Sequence, residues 1–255
     1  TGSSSNPTNN TNWTAQGVVD PGIQTGVGLS ASSEGLNLSY GNSSQSETLQ
    51  ISLFTTQSSG AVTLERTSSQ TLPAELSNNV AISFGTAGIG DSQQLLLAGI
   101  NKSENGDLVQ TNLIQPWSSW NPLNGSPDST TPALVRAGDT LYMAAQSTGS
   151  STVQWSSSND GGSSWSNWQS LPGSFTSDIW QSSVAGQPAT KPLSMAVVNG
   201  TPYLSFLTND NAIIITALTN ASTNSWSTPY QVPGQSATYA TLTSESVNGT
   251  PQLAV

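Results

Sequence analysis

Five short segments of related pattern divide this chain at near-regular intervals, at 13–22, 69–74, 117–125, 165–173 and 226–234. Four of them begin on a tryptophan, and their closing small residues Gly22, Ala74, Gly125, Gly173 and Gly234 stand 52, 51, 48 and 61 residues apart. Another 43 residues lead from Gly234 through the C-terminus and back round to Gly22. A unit of this length holds about four short strands, and stacked units bury the faces that one sheet alone leaves exposed.

The segments between these markers alternate with period two. Leu36-Asn37-Leu38-Ser39-Tyr40, Leu49-Gln50-Ile51-Ser52-Leu53 and Tyr203-Leu204-Ser205-Phe206-Leu207 each show one apolar face. Leu95-Leu96-Leu97 and Ile213-Ile214-Ile215 read as strands covered on both faces. No stretch sustains a helical period, and Glu34-Gly35, Gly138-Asp139, Asn199-Gly200 and Asn248-Gly249 supply turn chemistry for tight hairpins. The expectation is an all-β, five-bladed β-propeller occupying residues 1–255 as one domain. Its third unit reads as strands at 132–137, 140–146, 152–157 and 165–171, and its fourth as 192–198, 201–207, 212–218 and 226–232. The closing unit is short: strands at 237–244 and 250–255 are followed by the end of the sequence, and only 13–19 remains to serve as its outer strand. The ring is therefore expected to close between N- and C-terminal strands, with 1–11 flexible or donated and no alternating segment left for that unit's third strand.

Composition narrows the function. Nearly half of the chain is Ser, Thr, Asn or Gln, only 7% is charged, and there is no His or Cys. Zinc sites built on His or Cys, thiol chemistry, Ser-His-Asp triads and imidazole acid–base catalysis are thereby removed. A net charge of −10 has the wrong sign for phosphates, so neither nucleic acid nor an anionic membrane surface is an expected partner. No apolar run is long enough to span a bilayer. The first residue is Thr1, with no charged-then-apolar leader, which reads as a mature or excised segment. The hydroxyl-rich, lysine-poor composition fits a secreted or cell-surface protein. Asn-X-Ser/Thr sequons stand at Asn9, Asn12, Asn37, Asn42, Asn101, Asn124, Asn199, Asn220 and Asn248 and matter where the source glycosylates.

The residues Ser158-Asn159-Asp160-Gly161-Gly162-Ser163-Ser164-Trp165 resemble the Asp box of sialidase-type (BNR) propellers, Ser-X-Asp-X-Gly-X-Thr-Trp, with Ser164 in place of Thr. Residues 219–226 and 8–13 resemble eroded copies without the Asp. The resemblance implies a folding device: Asp160 caps its turn, Gly162 permits the reversal and Trp165 packs between sheets. The pattern Trp-X-X-Trp-X-X-Leu-X-Gly at 117–125 and 165–173 also resembles the outer-strand motif of bacterial propeller lectins that bind fucose-type and methylated sugars. For Trp117, Trp165 and Trp226 the reading is inter-blade packing.

Only Arg66 and Arg136 are available to clamp a carboxylate, too few for the arginine cluster of a sialidase. Glu34, Asp91 and Asp139 fall in hairpins, and Asp160 in the box, on the face away from the usual site. Glu75, Asp128, Asp178 and Asp210 fall in loops on the ligand face, which keeps a glycoside hydrolase as a third reading. No dense Asp/Asn loop suggests a metal, and no cofactor is expected. The longest insertion, 174–191, carries Asp178, Trp180 and Gln181; an indole stacks on a sugar's C–H face while amide and carboxylate take its hydroxyls. The expected ligand-binding residues are Trp180, Asp178, Gln181 and Asp128, with no catalytic residue. The expected function is a non-catalytic extracellular carbohydrate-binding or adhesin module whose partner is a glycan. The alternative is a structural subunit of a filament or surface assembly in which copies of the chain exchange terminal strands.

Overall fold

The computed structural model describes backbone strands up to residue 112 and the segments 121–123, 132–146, 152–172, 193–236 and 240–255. Two short strands open the chain, β1 (Gly2–Ser3) and β2 (Thr14–Ala15), paired antiparallel. The first four-stranded sheet follows as β3 (Gly28–Ser32), β4 (Gly35–Asn42), β5 (Thr48–Thr56) and β6 (Val62–Thr71). A second is built from β7 (Ser83–Ala87), β8 (Gln94–Ile100), β9 (Leu108–Asn112) and β10 (Asn121–Pro122). The third comprises β11 (Ala133–Ala137), β12 (Thr140–Gln146), β13 (Val153–Ser158) and β14 (Gln169–Ser170). The fourth runs through β15 (Ser194–Val198), β16 (Thr201–Leu207), β17 (Ala212–Asn220) and β18 (Ser225–Trp226), with β19 (Tyr230–Ser236) pairing the other end of β17. The hairpin of β20 (Thr243–Val247) and β21 (Thr250–Ala254) completes the described strands.

All four large sheets are antiparallel meanders, and no helix occurs among the described residues. The first strand of each sheet adjoins the first strand of the next, in the order β3, β7, β11, β15 and β20. The sheets are thus set side by side along their first strands. The turn signals fall where hairpin geometry needs them: Val198 pairs with Thr201 across Asn199-Gly200, whose φ values of 52° and 77° lie in the left-handed region that Asn and Gly tolerate.

Departures from the sequence reading concern the outer and terminal strands: the strand expected at 165–171 is regular only at Gln169–Ser170, and for the one expected at 237–244 the described strand is Thr243–Val247. The fourth strand of sheet four is expected to be continuous but is interrupted: β18 and β19 are separate stretches that pair successive parts of β17, with one register irregularity inside each ladder. Pro229 lies in the gap and has no N–H to contribute to a ladder. At the N-terminus, Gly2–Ser3 is a strand, in the segment expected to provide none, and it pairs Gly2 with Ala15 and Ser3 with Thr14. Among the described residues β20 and β21 form one two-stranded sheet and β1 and β2 another, with no backbone pairing between them.

The core lies between sheets. Val153, Trp155 and Leu171 of sheet three pack with Leu193, Leu204, Phe206 and Leu218 of sheet four as one buried cluster. A second joins Leu207, Ile213 and Ile215 to Ala240 and Leu242, with Leu253 of β21 packed against it. Trp226 packs between sheets as expected, with its ring 5.9 Å from that of Trp155 and edge-on at 77°. Trp165 is half-buried, and the side chain of Trp117 lies outside the described residues. Trp155, only 1% exposed, is the larger anchor. Replacing Trp155 with alanine is expected to lower the unfolding free energy by about 3–5 kcal/mol, read from urea midpoints; unfolding together with the parent would place the inter-sheet core elsewhere.

Candidate functional site

An antiparallel meander sorts its connections onto two ends. Hairpins from first to second strand and turns from third to fourth strand share one end. Turns from second to third strand, and the loops that lead to the next sheet, share the other.

At the first end, polar side chains staple the turns. The Ser158 hydroxyl donates to Asp160 Oδ1 at 2.8 Å and accepts the Gly162 N–H at 2.8 Å. The Ser164 N–H donates to Asp160 Oδ1 at 2.9 Å and its hydroxyl to Oδ2 at 2.5 Å. Asp160 thus caps its own turn, while Gly161 and Gly162 sit at φ 72° and 89°. The Ser164 hydroxyl first, then the Ser164 N–H, hold the Asp160 carboxyl below the usual carboxylate range. Thr140 in the neighbouring hairpin donates to Asn159 Oδ1 at 2.7 Å, and Arg136 donates to Gly138 O at 2.7 Å and to Asp139 at 3.2 Å. These carboxylates serve the turns that hold them.

Sequence reasoning missed Asn224. Its Oδ1 accepts the indole N–H of Trp155 at 2.8 Å and that of Trp226 at 3.1 Å, while its Nδ2 donates to Ser170 O at 2.9 Å. One amide therefore ties sheet four to sheet three. The available signal was an Asn in the eroded box just before Ser225-Trp226, in a turn where φ of 49° favours Asn.

The second end carries the expected ligand loops. Asp128 belongs to the connection from β10 to β11, and Asp178, Trp180 and Gln181 to the connection from β14 to β15. The two connections flank sheet three and leave from the same end of it. Leu123 and Pro132 are buried at the ends of the first, and Leu171 and Leu193 at the ends of the second. Asp128, Asp178, Trp180 and Gln181 themselves lie outside the described residues, as does Glu75.

Asp210 stands at this end, in the turn between β16 and β17. The Thr208 hydroxyl donates to its carboxylate, as does the Ala212 N–H at 3.4 Å, and these bonds, the hydroxyl's first, hold its carboxyl below the ordinary range. Of the four acids with described side chains, Asp139, Asp160, Asp210 and Glu245, Asp210 alone is at this second end. No cluster of three potential metal-ligating side chains occurs among the described residues.

No protein-family model matches the sequence, and no curated protein matches it. Solved structures do. AofleA from Arthrobotrys oligospora superposes with a TM-score of 0.58 at 17% identity, covering 95% of this chain and 68% of that one. The lectin of Aleuria aurantia, described as a six-bladed β-propeller with a novel fucose recognition mode, gives 0.54 at 13% identity, covering 86% and 67%. The RS223 β-xylosidase gives 0.53 at 11% identity, covering 91% and 86%. At these identities the likeness shows the fold, and the fold is that of the β-propellers.

The capped turn makes a pH-dependent contribution to stability. Because the folded-state pKa of Asp160 is depressed, its contribution is present above the unfolded carboxylate value and is lost as pH falls through the folded one. Asp160→Ala is expected to destabilise by about 0.5–1.5 kcal/mol near neutral pH. The gap should hold from about pH 5 to 8 and narrow progressively below about pH 4. Denaturant titrations of both proteins across that range check it, and a gap that persists at low pH contradicts the assignment.

Proposed function

We propose that this chain is a non-catalytic carbohydrate-binding propeller, secreted or displayed on a cell surface, where it acts as a lectin-like or adhesin module. The fold likeness to the propeller lectin of Aleuria aurantia carries this reading. The composition agrees, because neutral glycans are recognised by hydroxyls, amides and aromatic faces, which this chain has in excess over charge. The site we assign is the 174–191 insertion: Trp180 stacks on a sugar face, Asp178 and Gln181 bind hydroxyls, and Asp128 approaches from the adjacent connection. The 158–165 turn is assigned as an Asp box in a structural role. A glycoside hydrolase is the weaker reading despite the xylosidase likeness, since Asp210 at the ligand-loop end is engaged by its own turn.

The ring we propose has five blades, four complete and one composite. The β20–β21 hairpin adjoins β15 and, among the described residues, pairs with no further strand. The β1–β2 pair has the character of an outer half: Trp13 precedes β2, and Thr14 pairs with Ser3 much as Ser166, after Trp165, bonds Ser157. Joined within one chain, the halves close a ring; joined between chains, they link copies into an assembly.

A glycan array run with the full chain tests the central reading, with binding to at least one glycan expected. Trp180→Ala should weaken that binding by about 1–3 kcal/mol while leaving the melting temperature unchanged. Absence of binding across the array, or unaltered affinity in the variant, overturns the function or the site respectively. Deleting residues 1–15 should lower the melting temperature of a monomer or dissolve an assembly seen by light scattering. A truncated chain as stable and as associated as the parent removes the composite blade.

A further inference from the structure

We infer that Asn199 and Asn248 are N-glycosylation sites occupied together, and that both glycans project from the end of the molecule opposite the ligand loops. Three sequons have described side chains, those of Asn199, Asn220 and Asn248. Asn199-Gly200-Thr201 and Asn248-Gly249-Thr250 are the same tripeptide at the same place, the hairpin joining first to second strand, in consecutive units. Both asparagines are exposed at the tips of their turns, with φ of 52° in each case. Neither side chain makes a hydrogen bond among the described residues, and a Cβ placed on Gly200 or Gly249 would meet nothing within 4 Å. Space for a first sugar is therefore open around both amides. Asn220 differs: its Oδ1 accepts the N–H and hydroxyl of Ser222, the hydroxyl residue of its own sequon, at 3.0 and 2.7 Å.

The donor required is an oligosaccharide on a lipid pyrophosphate. The amide nitrogen forms a bond to the sugar's anomeric carbon, the anomeric bond to the pyrophosphate breaks, and the lipid pyrophosphate leaves as the amide gives one proton to solvent. Attachment here adds bulk beside the stapled turns and leaves the connections at the other end uncovered.

The full chain, expressed behind a cleavable secretion signal in yeast, provides the test. Glycans are released with peptide N-glycosidase in heavy-oxygen water, so that each formerly occupied Asn carries the isotopic tag of its conversion to Asp. Both the Asn199 and Asn248 peptides should be tagged, and Asn199→Gln and Asn248→Gln should each remove one glycan from the intact mass without moving the melting temperature of the deglycosylated protein. If the chain is retained in the cell, the same peptides are read from its microsomal fraction. Recovery of either peptide mainly as unmodified Asn overturns the inference.

Discussion

The side-chain amide of Asn224 resolves a conflict that the core of this protein creates. Burying Trp155 and half-burying Trp226 removes apolar surface from water, but each indole brings an N–H that is costly to leave unpaired. One carbonyl oxygen takes both, and the amide's nitrogen returns a bond to Ser170 O in the preceding sheet. The dry contact between sheets three and four and its polar bond partners are thus supplied at one point. Adjacent sheets have no shared backbone ladder there, so side chains set their mutual position. The connection from β14 to β15, to which the proposed sugar contacts belong, joins these same two sheets.

The abundance of hydroxyl residues has a structural reason visible in two equivalent places. In sheet three, Ser156 Oγ donates to Ser166 O at 2.6 Å, and the Ser157 N–H donates to Ser166 Oγ at 3.0 Å. In sheet four, Thr216 Oγ1 donates to Ser227 O at 3.0 Å, and the Ala217 N–H donates to Ser227 Oγ at 3.0 Å. The serine directly after each tryptophan therefore supplies side-chain partners where the outer strand leaves regular pairing. Neutral hydroxyls do this work without the desolvation cost of charges.

Much of the architecture was legible in the sequence because its signals are local. Period-two alternation and left-handed turn residues marked the first three strands of sheets three and four, and their first hairpins, to within two residues. The outer strands were less legible, since Ser225-Trp226 and Tyr230–Ser236 look like one strand, and the gap that holds Pro229 interrupts its ladder on β17. β1 was missed because Gly2-Ser3 carries no apolar alternation; it is defined by its partner. Asn224 was missed for a related reason: its role depends on Trp155, 69 residues away, and no local pattern announces that meeting. The proposed sugar contacts at Trp180 rest on loop length and residue chemistry, and only the loop's anchors at Leu171 and Leu193 have described packing.

A double-mutant cycle between Trp155→Phe and Asn224→Ala tests the inter-sheet clasp most directly, because it isolates the indole–amide bond from the packing of the ring and from the other bonds of Asn224. Unfolding free energies of the parent, the two single variants and the double variant should yield a coupling of about 1–2 kcal/mol. Additivity within about 0.3 kcal/mol would contradict the account, showing that the two sheets are held together without that bond.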